Sequence, residues 1–455
     1  MVVLKSCYTI KPAKPTPTSG IVISDCDQDK PITHAPIIYI YRPCSNFSYN
    51  SALESIKIAL SKALVHFYPL AGRLKWVGDK GGQVELECSS VGVWLYEAKS
   101  NTKLADYGDF CPTPELRSLI PSVDYNAPLQ EIPLLLVQIT RFTCGGLSLG
   151  VGISHIMADG TCFFHFMSVW ARIARGEPLD VDVLPYLDRT ALLAREPPTS
   201  QYNHERFDPP PLLMGLVDKN EERNKRTTVA MLHLSKTQVE KLKNMANDSR
   251  AANIRPYSRY EVVTGHLWRC MCKAREHKSE QITRLYLTVN IRNRMKPPLP
   301  RAYFGNAILR VTATSQSGEL MAQPFRYGPS KIREAIEMVT DDYVKSTINL
   351  VKGLPDLTPF RTYHIVESTQ GAFYGNPNLE VTSWVGLPLK GVDFGWGKEI
   401  HVGPGSVNLD GKAFIMDGHN EDGSLVVALR LQVGHMDALR EIFYKDIDDW
   451  RSSKM

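Results

Sequence analysis

Hydrophobic positions recur along this chain with two different periods, which predicts an alternation of helices and strands. Between residues 50 and 67 apolar side chains return every three or four positions, so we predict an amphipathic helix. Residues 133–143 and 147–153 are apolar runs of strand length, and the Cys-Gly-Gly turn between them is typical of a β-hairpin. A second helix is predicted from about residue 161, after a short loop.

The pattern changes between residues 196 and 226, where proline clusters and a charged run predict a long, exposed crossover. Beyond it, strands near 228–234, 285–291, 306–313 and 425–433 alternate with helices near 236–247, 259–275 and 329–348. A single core seldom exceeds roughly 300 residues, so this chain of 455 predicts more than one domain. We therefore predict an α/β protein with an N-terminal domain over residues 1–195, a linker over 196–226 and a C-terminal domain over 227–455.

One local pattern occurs in both halves. The strand at 147–153 is followed by His155 and a helix, and the strand at 425–433 is followed by His435 and a helix. Leu439 stands where the first half has Asp159. This repetition predicts two similar halves, of which only the first keeps the histidine loop intact.

Composition and charge exclude several classes of protein. The chain is 43% hydrophobic and 22% charged with a net charge of +5, which is ordinary for a globular protein and disfavours a nucleic-acid binder. It contains no apolar run of about 18 residues and no secretory leader, so we expect a cytoplasmic protein without a membrane partner. Its nine scattered cysteines predict reduced thiols and no metal site.

Two His-x-x-x-Asp patterns are candidates for chemistry, and chance predicts about one. His204 and Asp208 lie in the proline-rich crossover, where nothing local holds them in place. His155 and Asp159 follow a buried strand, a common position for catalytic side chains. A neutral imidazole at this point is a candidate general base for an alcohol or amine that attacks a carbonyl group. Asp159 either orients the ring or anchors the loop.

Other functions remain alternatives at this point. Residues 146–150 match the Gly-x-Ser-x-Gly pattern of a serine esterase, but the residues after Ser148 continue a strand instead of turning sharply into a helix. A non-catalytic binding protein is a second alternative. No phosphate-binding loop or dinucleotide fingerprint is present, so nucleotide hydrolysis and dinucleotide redox chemistry lack support.

The residues His155-Ile156-Met157-Ala158-Asp159-Gly160 and Asp393-Phe394-Gly395-Trp396-Gly397 resemble the paired signatures of the plant BAHD acyl-CoA-dependent acyltransferases. Further matches are residues 67–73, 265–269 and 303–306, so the resemblance extends over the whole chain. It implies a monomer with a chloramphenicol-acetyltransferase-like fold, in which each domain is a mixed sheet with flanking helices and a tunnel runs between the domains. It also implies acyl-CoA as co-substrate, with no permanently bound cofactor and no metal.

The same resemblance implies roles for individual residues. His155 is the base in a direct attack on the thioester, and Asp159 is a loop anchor that pairs with Arg292. Residues of the second signature are structural: Asp393, Gly395, Trp396 and Gly397. Ser258 and Arg259 match positions near CoA. Tyr39, Thr382 and Trp384 match positions in the acceptor and acyl pocket.

The acceptor is predicted from finer similarities. Gly386 matches a position that we assign to a carboxylate-binding arginine in shikimate and quinate transferases, which disfavours those acceptors. Residues 259–266, 373–379 and 418–423 resemble segments of spermidine hydroxycinnamoyl transferases. We therefore expect transfer of a hydroxycinnamoyl group to spermidine, with Glu367 and Glu380 as candidates to hold its ammonium groups. An O-acyltransferase using shikimate, quinate or another alcohol is the alternative.

Overall fold

The computed structural model describes residues 1–44, 48–78, 81–216, 219–248, 253–362, 375–419 and 422–449. The strands are β1 (Val2–Ile10), β2 (His34–Tyr41), β3 (Arg73–Trp76), β4 (Val84–Glu87), β5 (Val93–Ser100), β6 (Leu135–Arg141), β7 (Leu147–Ser154), β8 (Thr227–Leu234), β9 (Ile282–Asn290), β10 (Ile308–Gln316), β11 (Leu379–Ser383), β12 (Glu399–Pro404), β13 (Lys412–Asp417) and β14 (Leu425–Gln432). The α-helices are α1 (Asp25–Gln28), α2 (Tyr49–His66), α3 (Pro114–Arg117), α4 (Gly160–Ala174), α5 (Lys219–Arg223), α6 (Lys236–Asn247), α7 (Arg259–Ala274), α8 (Ser317–Ala322), α9 (Tyr327–Glu337), α10 (Asp341–Gly353), α11 (Thr358–Thr362) and α12 (Val433–Asp448).

Most strands belong to two six-stranded mixed sheets. The first has the order β1-β5-β6-β7-β2-β12, and only β5 and β6 pair in parallel. The second has the order β10-β9-β11-β13-β14-β8, and β11 runs parallel to both of its neighbours. Helices α2 and α4 pack with the first sheet, and α7, α9 and α12 with the second. The predicted fold class, two mixed sheets with flanking helices, is confirmed.

The repetition seen in the sequence is present in the fold. Strands β6 and β7 form an antiparallel hairpin that leads into α4, and β13 and β14 form one that leads into α12. Gly145, at the tip of the first hairpin, has a φ of +85°, a conformation that glycine adopts without strain. Each hairpin therefore leads into a helix from the end of an inner strand of its sheet.

The prediction of one continuous helix over 329–348 is wrong. The helix expected over 329–348 is two helices, α9 and α10. Thr340 between them has an extended backbone, and its side chain accepts a hydrogen bond from the Tyr343 N–H. An N-cap of this kind begins a new helix, which local apolar spacing does not reveal.

Strand β12 crosses from the second half of the chain into the first sheet, where it pairs with β2. The segment before it packs into the core of the first sheet through Val392, Phe394 and Trp396. The Asp393–Gly397 signature lies by number in the predicted C-terminal domain, but these contacts place it against the N-terminal half. The domain boundaries at 195 and 226 stay a prediction. Strand β12 lies after both boundaries in the sequence but pairs with β2 in the first sheet.

Most described residues of the crossover over 196–226 are exposed or partly exposed, as predicted, but some of its side chains point into the protein. His204 and Arg206 are both buried, and the His204 imidazole lies 3.0 Å from the Ser346 hydroxyl. The expectation that nothing holds His204 in place is therefore wrong. Burial lowers the pKa of His204 to about 4, so the ring is neutral and structural. None of the described helices has the length and apolar composition needed to cross a bilayer.

Candidate active site

A cavity of about 260 Å³ lies between the two sheets and is lined by residues of both halves. One part of its lining is apolar or aromatic: Pro31, Ala35, Pro36, Ile37, Ile153, Ala158, Phe163, Ile308, Trp384, Leu387, Pro404 and Phe414. The ionisable part comprises Asp29, Lys30, His34, His155, Asp159, Arg206, Arg310, Glu380 and Lys412. A cavity that combines apolar walls with convergent polar groups is typical of a small-molecule site.

His155 lies in this cavity, in the loop between β7 and α4. Its backbone is held on both sides, because its N–H donates to the Thr33 carbonyl at 3.0 Å and its own carbonyl accepts from the Asn306 side chain at 2.9 Å. The ring nitrogen Nδ1 makes no hydrogen bond with another described residue. Burial, together with the charges of Lys30 and Lys412, lowers the pKa of His155. The lowered pKa favours the neutral imidazole, which is the form that accepts a proton.

These charges predict the pH dependence of activity. With an alcohol acceptor, we expect kcat/KM to rise with pH in one step whose midpoint lies below 6.5, because only the neutral imidazole accepts a proton. Replacing Lys30 with methionine removes a positive charge that disfavours the imidazolium, so the midpoint should move upward. A pH–rate profile of both proteins measures this. A midpoint that stays in place in Lys30→Met would contradict the assignment of His155.

Asp159 anchors the loop. Its carboxylate accepts two hydrogen bonds from Arg292, at 2.8 and 3.0 Å, one from the Ala307 N–H at 3.0 Å and one from the Cys162 N–H at 3.1 Å. The last of these makes Asp159 the N-cap of α4. Burial would raise the pKa of Asp159, but Arg292 and the other donors outweigh it and hold the pKa below its usual value. A carboxylate occupied in this way fixes the position of the loop.

A second buried network supports the same loop. The Asp27 carboxylate accepts from the Arg189 guanidinium at 3.0 Å and from the Asn306 N–H at 2.7 Å, while Arg189 also donates to the Met157 carbonyl at 3.0 Å. Sequence reasoning missed Asp27 and Arg189, because neither lies in a recognisable local pattern. Asn306 lies in segment 303–306, which matches the family, and this match could have indicated that it supports the loop.

Only some of the residues predicted for the acceptor and acyl pocket line the cavity. Thr382 and Trp384 line the cavity, and Trp384 packs edge-to-face on Phe164 at 5.8 Å between ring centroids. Tyr39 is fully buried in the core of the first sheet. Gly386 has a φ of +77°, is not part of the described lining, and would place a Cβ in open space. Its neighbours Trp384 and Leu387 line the cavity, so the expectation drawn from Gly386 about the acceptor stays a prediction.

The whole chain is similar to a known group of transferases. The Transferase family model matches residues 1–446. The chain belongs to this family, that of the BAHD acyltransferases. The hydroxycinnamoyl-CoA:piscidic acid hydroxycinnamoyltransferase of Actaea racemosa is 47% identical over 453 residues, which cover 98% of this chain and 100% of the relative. The shikimate O-hydroxycinnamoyltransferase of Nicotiana tabacum is 39% identical over 444 residues, with 97% and 99% covered. The crystal structure of vinorine synthase is 25% identical, covers 96% of each chain and has a TM-score of 0.73.

In this BAHD transferase the second signature is a folded turn remote from the cavity lining. The Asp393 carboxylate accepts from the Gly395 and Gly397 N–H groups at 2.7 and 3.0 Å, and both glycines have φ near +105°. The Phe394 and Trp396 rings stack at 5.4 Å and pack onto the first half. These contacts fit the structural role that the resemblance implies, which stays a proposal for each residue.

The residues predicted to approach CoA lie at the start of α7. The Ser258 hydroxyl caps this helix by accepting from the Glu261 N–H, and the Arg259 guanidinium lies 3.4 Å from the Asp417 carboxylate. Neither residue is part of the described lining of the cavity. Their partially exposed position beside a helix N-terminus is compatible with an anion outside the cavity mouth.

The esterase alternative does not fit the geometry of this BAHD transferase. Ser148 is fully buried within β7, where it pairs with Ile40 and Thr140. A serine nucleophile needs an exposed hydroxyl at a sharp turn beside a base. Ser148 has neither, so His155 is the better supported catalytic group.

Proposed function

We propose that this protein transfers a hydroxycinnamoyl group from its CoA thioester to the hydroxyl or amine of a small acceptor. The observation that carries the proposal is the neutral His155, presented without a competing hydrogen bond in a cavity between two sheets. The family and the hydroxycinnamoyl-CoA relatives support the acyl donor.

The proposed reaction transfers the acyl group directly from CoA to the acceptor, without an acyl-enzyme intermediate. His155 takes the proton of the acceptor O–H or N–H as the oxygen or nitrogen attacks the thioester carbon. The tetrahedral intermediate collapses, the C–S bond breaks, and the CoA sulfur receives the proton from His155. The products are free CoA and an ester or amide, with His155 neutral again. Asp159 and Arg292 take no part in proton transfer and keep the loop in place.

The acyl group and the CoA moiety are proposed to bind at different places. The aromatic and apolar side chains, among them Phe163, Trp384 and Phe414, suit the ring of a hydroxycinnamoyl group, for which edge-to-face and stacked contacts are favourable. Outside the cavity, Arg259 and the capped N-terminus of α7 are proposed to meet CoA phosphates as charge-assisted partners. Acyl-CoA is then a co-substrate, and the chain holds no cofactor permanently.

The finer sequence similarities suggest spermidine as the acceptor. The two glutamates predicted to hold its ammonium groups now give this acceptor less support. Glu367 lies outside the described residues. Glu380 lines the cavity, but it already pairs with Arg310 at 2.8 Å and with Lys412. Burial would raise the pKa of Glu380, yet these two cations hold it at about 2. The relatives named above act, by their names, on piscidic acid and shikimate. An O- or N-acyltransferase with another acceptor is therefore the second candidate.

A direct assay tests the proposal. Purified protein is mixed with p-coumaroyl-CoA or caffeoyl-CoA and with spermidine, shikimate and quinate in competition, and the products are weighed by mass spectrometry. Consumption of the thioester with formation of an ester or amide supports acyl transfer, and the product identifies the acceptor. No turnover with any acyl-CoA would favour the non-catalytic alternative.

We also propose that the protein is cytoplasmic and monomeric.

A further inference from the structure

We propose that this transferase has a second, non-catalytic binding cavity for a small phenol that also carries a carboxylate, as a free hydroxycinnamic acid does. The cavity has a volume of about 250 Å³, and His155 is not part of its described lining. Binding at this place goes beyond the proposed function, because no acyl transfer occurs there.

The second cavity lies next to the catalytic one in the space between the two sheets. On β12, Val402 lines the second cavity and Pro404 lines the catalytic one, and on β13 Met416 and Phe414 do the same. Residues two positions apart on a strand are about 7 Å apart and point to the same face. The two cavities are therefore neighbours, and their described linings have no residue in common.

His401, on β12, is an unpaired polar side chain in the wall of the second cavity. It is 4% exposed, and neither Nδ1 nor Nε2 makes a hydrogen bond with another described residue. Buried polar atoms in folded proteins are nearly always hydrogen-bonded, so two unpaired nitrogens on one ring indicate an occupant that supplies a partner. Burial lowers the pKa of His401 to about 3, so the ring that meets this occupant is neutral.

The surroundings of His401 hold its ring in place and leave its nitrogens available. The Phe110 ring packs against the imidazole with 4.9 Å between ring centroids. A Cβ at residue 403 would lie 2.7 Å from Nε2, so Gly403 leaves the space that the ring needs. A neutral imidazole has one N–H donor and one acceptor nitrogen, and a hydroxyl group can pair with either of them.

The charged side chains near His401 already have partners within the protein. The Glu399 carboxylate accepts from two backbone N–H groups, at 2.8 and 3.0 Å. The Asp417 carboxylate accepts from a backbone N–H at 3.0 Å and lies 3.4 Å from the Arg259 guanidinium. The Lys390 ammonium donates to two backbone carbonyls, at 2.9 and 3.2 Å. The imidazole therefore favours a ligand with an uncharged hydroxyl at this depth.

The other walls select the body of the ligand. Six apolar side chains line the cavity: Met231, Leu389, Ile400, Val402, Met416 and Val426. Methionine side chains adapt their shape and make favourable contacts with aromatic rings. Arg42 is an exposed member of the lining, and its guanidinium suits a carboxylate at the solvent end. An aromatic ring with a hydroxyl at one end and a carboxylate at the other fits these three features.

The test is calorimetric titration of the full chain with p-coumarate, in the absence of acyl-CoA and acceptor. Cinnamate, which lacks only the hydroxyl, is the matched ligand. We expect a binding component for p-coumarate that is about tenfold weaker for cinnamate. His401→Phe keeps a ring of similar size and removes both nitrogens, so it should weaken this component for p-coumarate about tenfold and leave cinnamate unchanged.

Two further measurements show whether His401→Phe acts on this cavity alone. The midpoint of thermal unfolding should not fall, because an unpaired buried polar group is replaced by an apolar one. The kcat and KM values for acyl transfer should also stay as they are. His66→Phe, at the partly exposed end of α2, is the matched histidine control and should bind p-coumarate like the unchanged protein.

A second variant tests the carboxylate. Arg42→Met should weaken p-coumarate about threefold to tenfold and leave p-coumaryl alcohol, which has no carboxylate, unaffected. Equal affinity of p-coumarate for the unchanged protein and His401→Phe would overturn the proposal, as would equal affinity for cinnamate and p-coumarate. A raised KM for acyl-CoA in His401→Phe, with p-coumarate binding unchanged, would assign the cavity to part of CoA instead. These titrations involve no acyl transfer, so their outcome is independent of the proposed function.

Discussion

Replacing His155 with alanine is expected to lower kcat for acyl transfer by about 10² to 10⁴-fold, the range typical of a lost general base. Without the imidazole, the acceptor hydroxyl or free amine must attack the thioester with no base to take its proton. The ring makes no hydrogen bond with another described residue, and the loop is held through its backbone by Thr33 and Asn306. Circular dichroism and thermal unfolding should therefore be unchanged, so the loss is chemical. Steady-state release of free CoA measures the rate.

Two controls make this result specific. His233→Ala removes an exposed histidine on β8 and should keep full activity. Ser148→Ala should also keep activity, because Ser148 is buried in β7 away from the cavity. Full activity in His155→Ala together with a loss in Ser148→Ala would reverse the assignment and favour the esterase alternative.

Replacing Arg292 with methionine is expected to lower the free energy of unfolding by about 3 to 5 kcal/mol, the cost of leaving one member of a buried ion pair without its partner. Asp159 would keep its two backbone donors but lose two charge-assisted hydrogen bonds. The loop that carries His155 would then shift, so kcat should fall although Arg292 touches no substrate. The midpoint of urea unfolding and kcat, measured on the same preparation, report the two effects.

A double variant separates charge from packing. Asp159→Asn with Arg292→Met removes both charges, so the pair should be less destabilised than Arg292→Met alone. Lys75→Met, which breaks an exposed ion pair with Glu85, is the control and should show no measurable change. If Arg292→Met were as stable as this control, Asp159 would not be an anchor, and a direct role beside His155 would have to be considered.

Local sequence patterns predicted most of the regular elements. The helix expected over 50–67 is α2 at Tyr49–His66, and the hairpin expected around residues 144–146 is formed by β6 and β7. These predictions are confirmed because periodicity and turn residues act over a few positions. The break between α9 and α10 was missed, since one capping threonine outweighed a continuous apolar pattern.

The candidate base was also predictable, because His155 occupies a distinctive position between a buried strand and a helix. The Asp159–Arg292 pair was predicted from a resemblance that extends over the whole chain, and the described contacts agree with it. The acceptor was not predictable in this way. Gly386 offers no side chain to bind a carboxylate, but other cations line the cavity, among them Arg310 and Lys412, so the acceptor stays a prediction.

The sequence by itself determined where most of the elements lie, which family the chain resembles and which histidine is the candidate base. Only the tertiary structure placed β12 in the first sheet and brought Asp27 to Arg189. It also brought Arg206 to Asp29, and Arg310 and Lys412 to Glu380, in the wall of the cavity. Periodicity and motifs record interactions over a few residues, whereas the charge of a cavity is a sum over side chains that only folding makes neighbours.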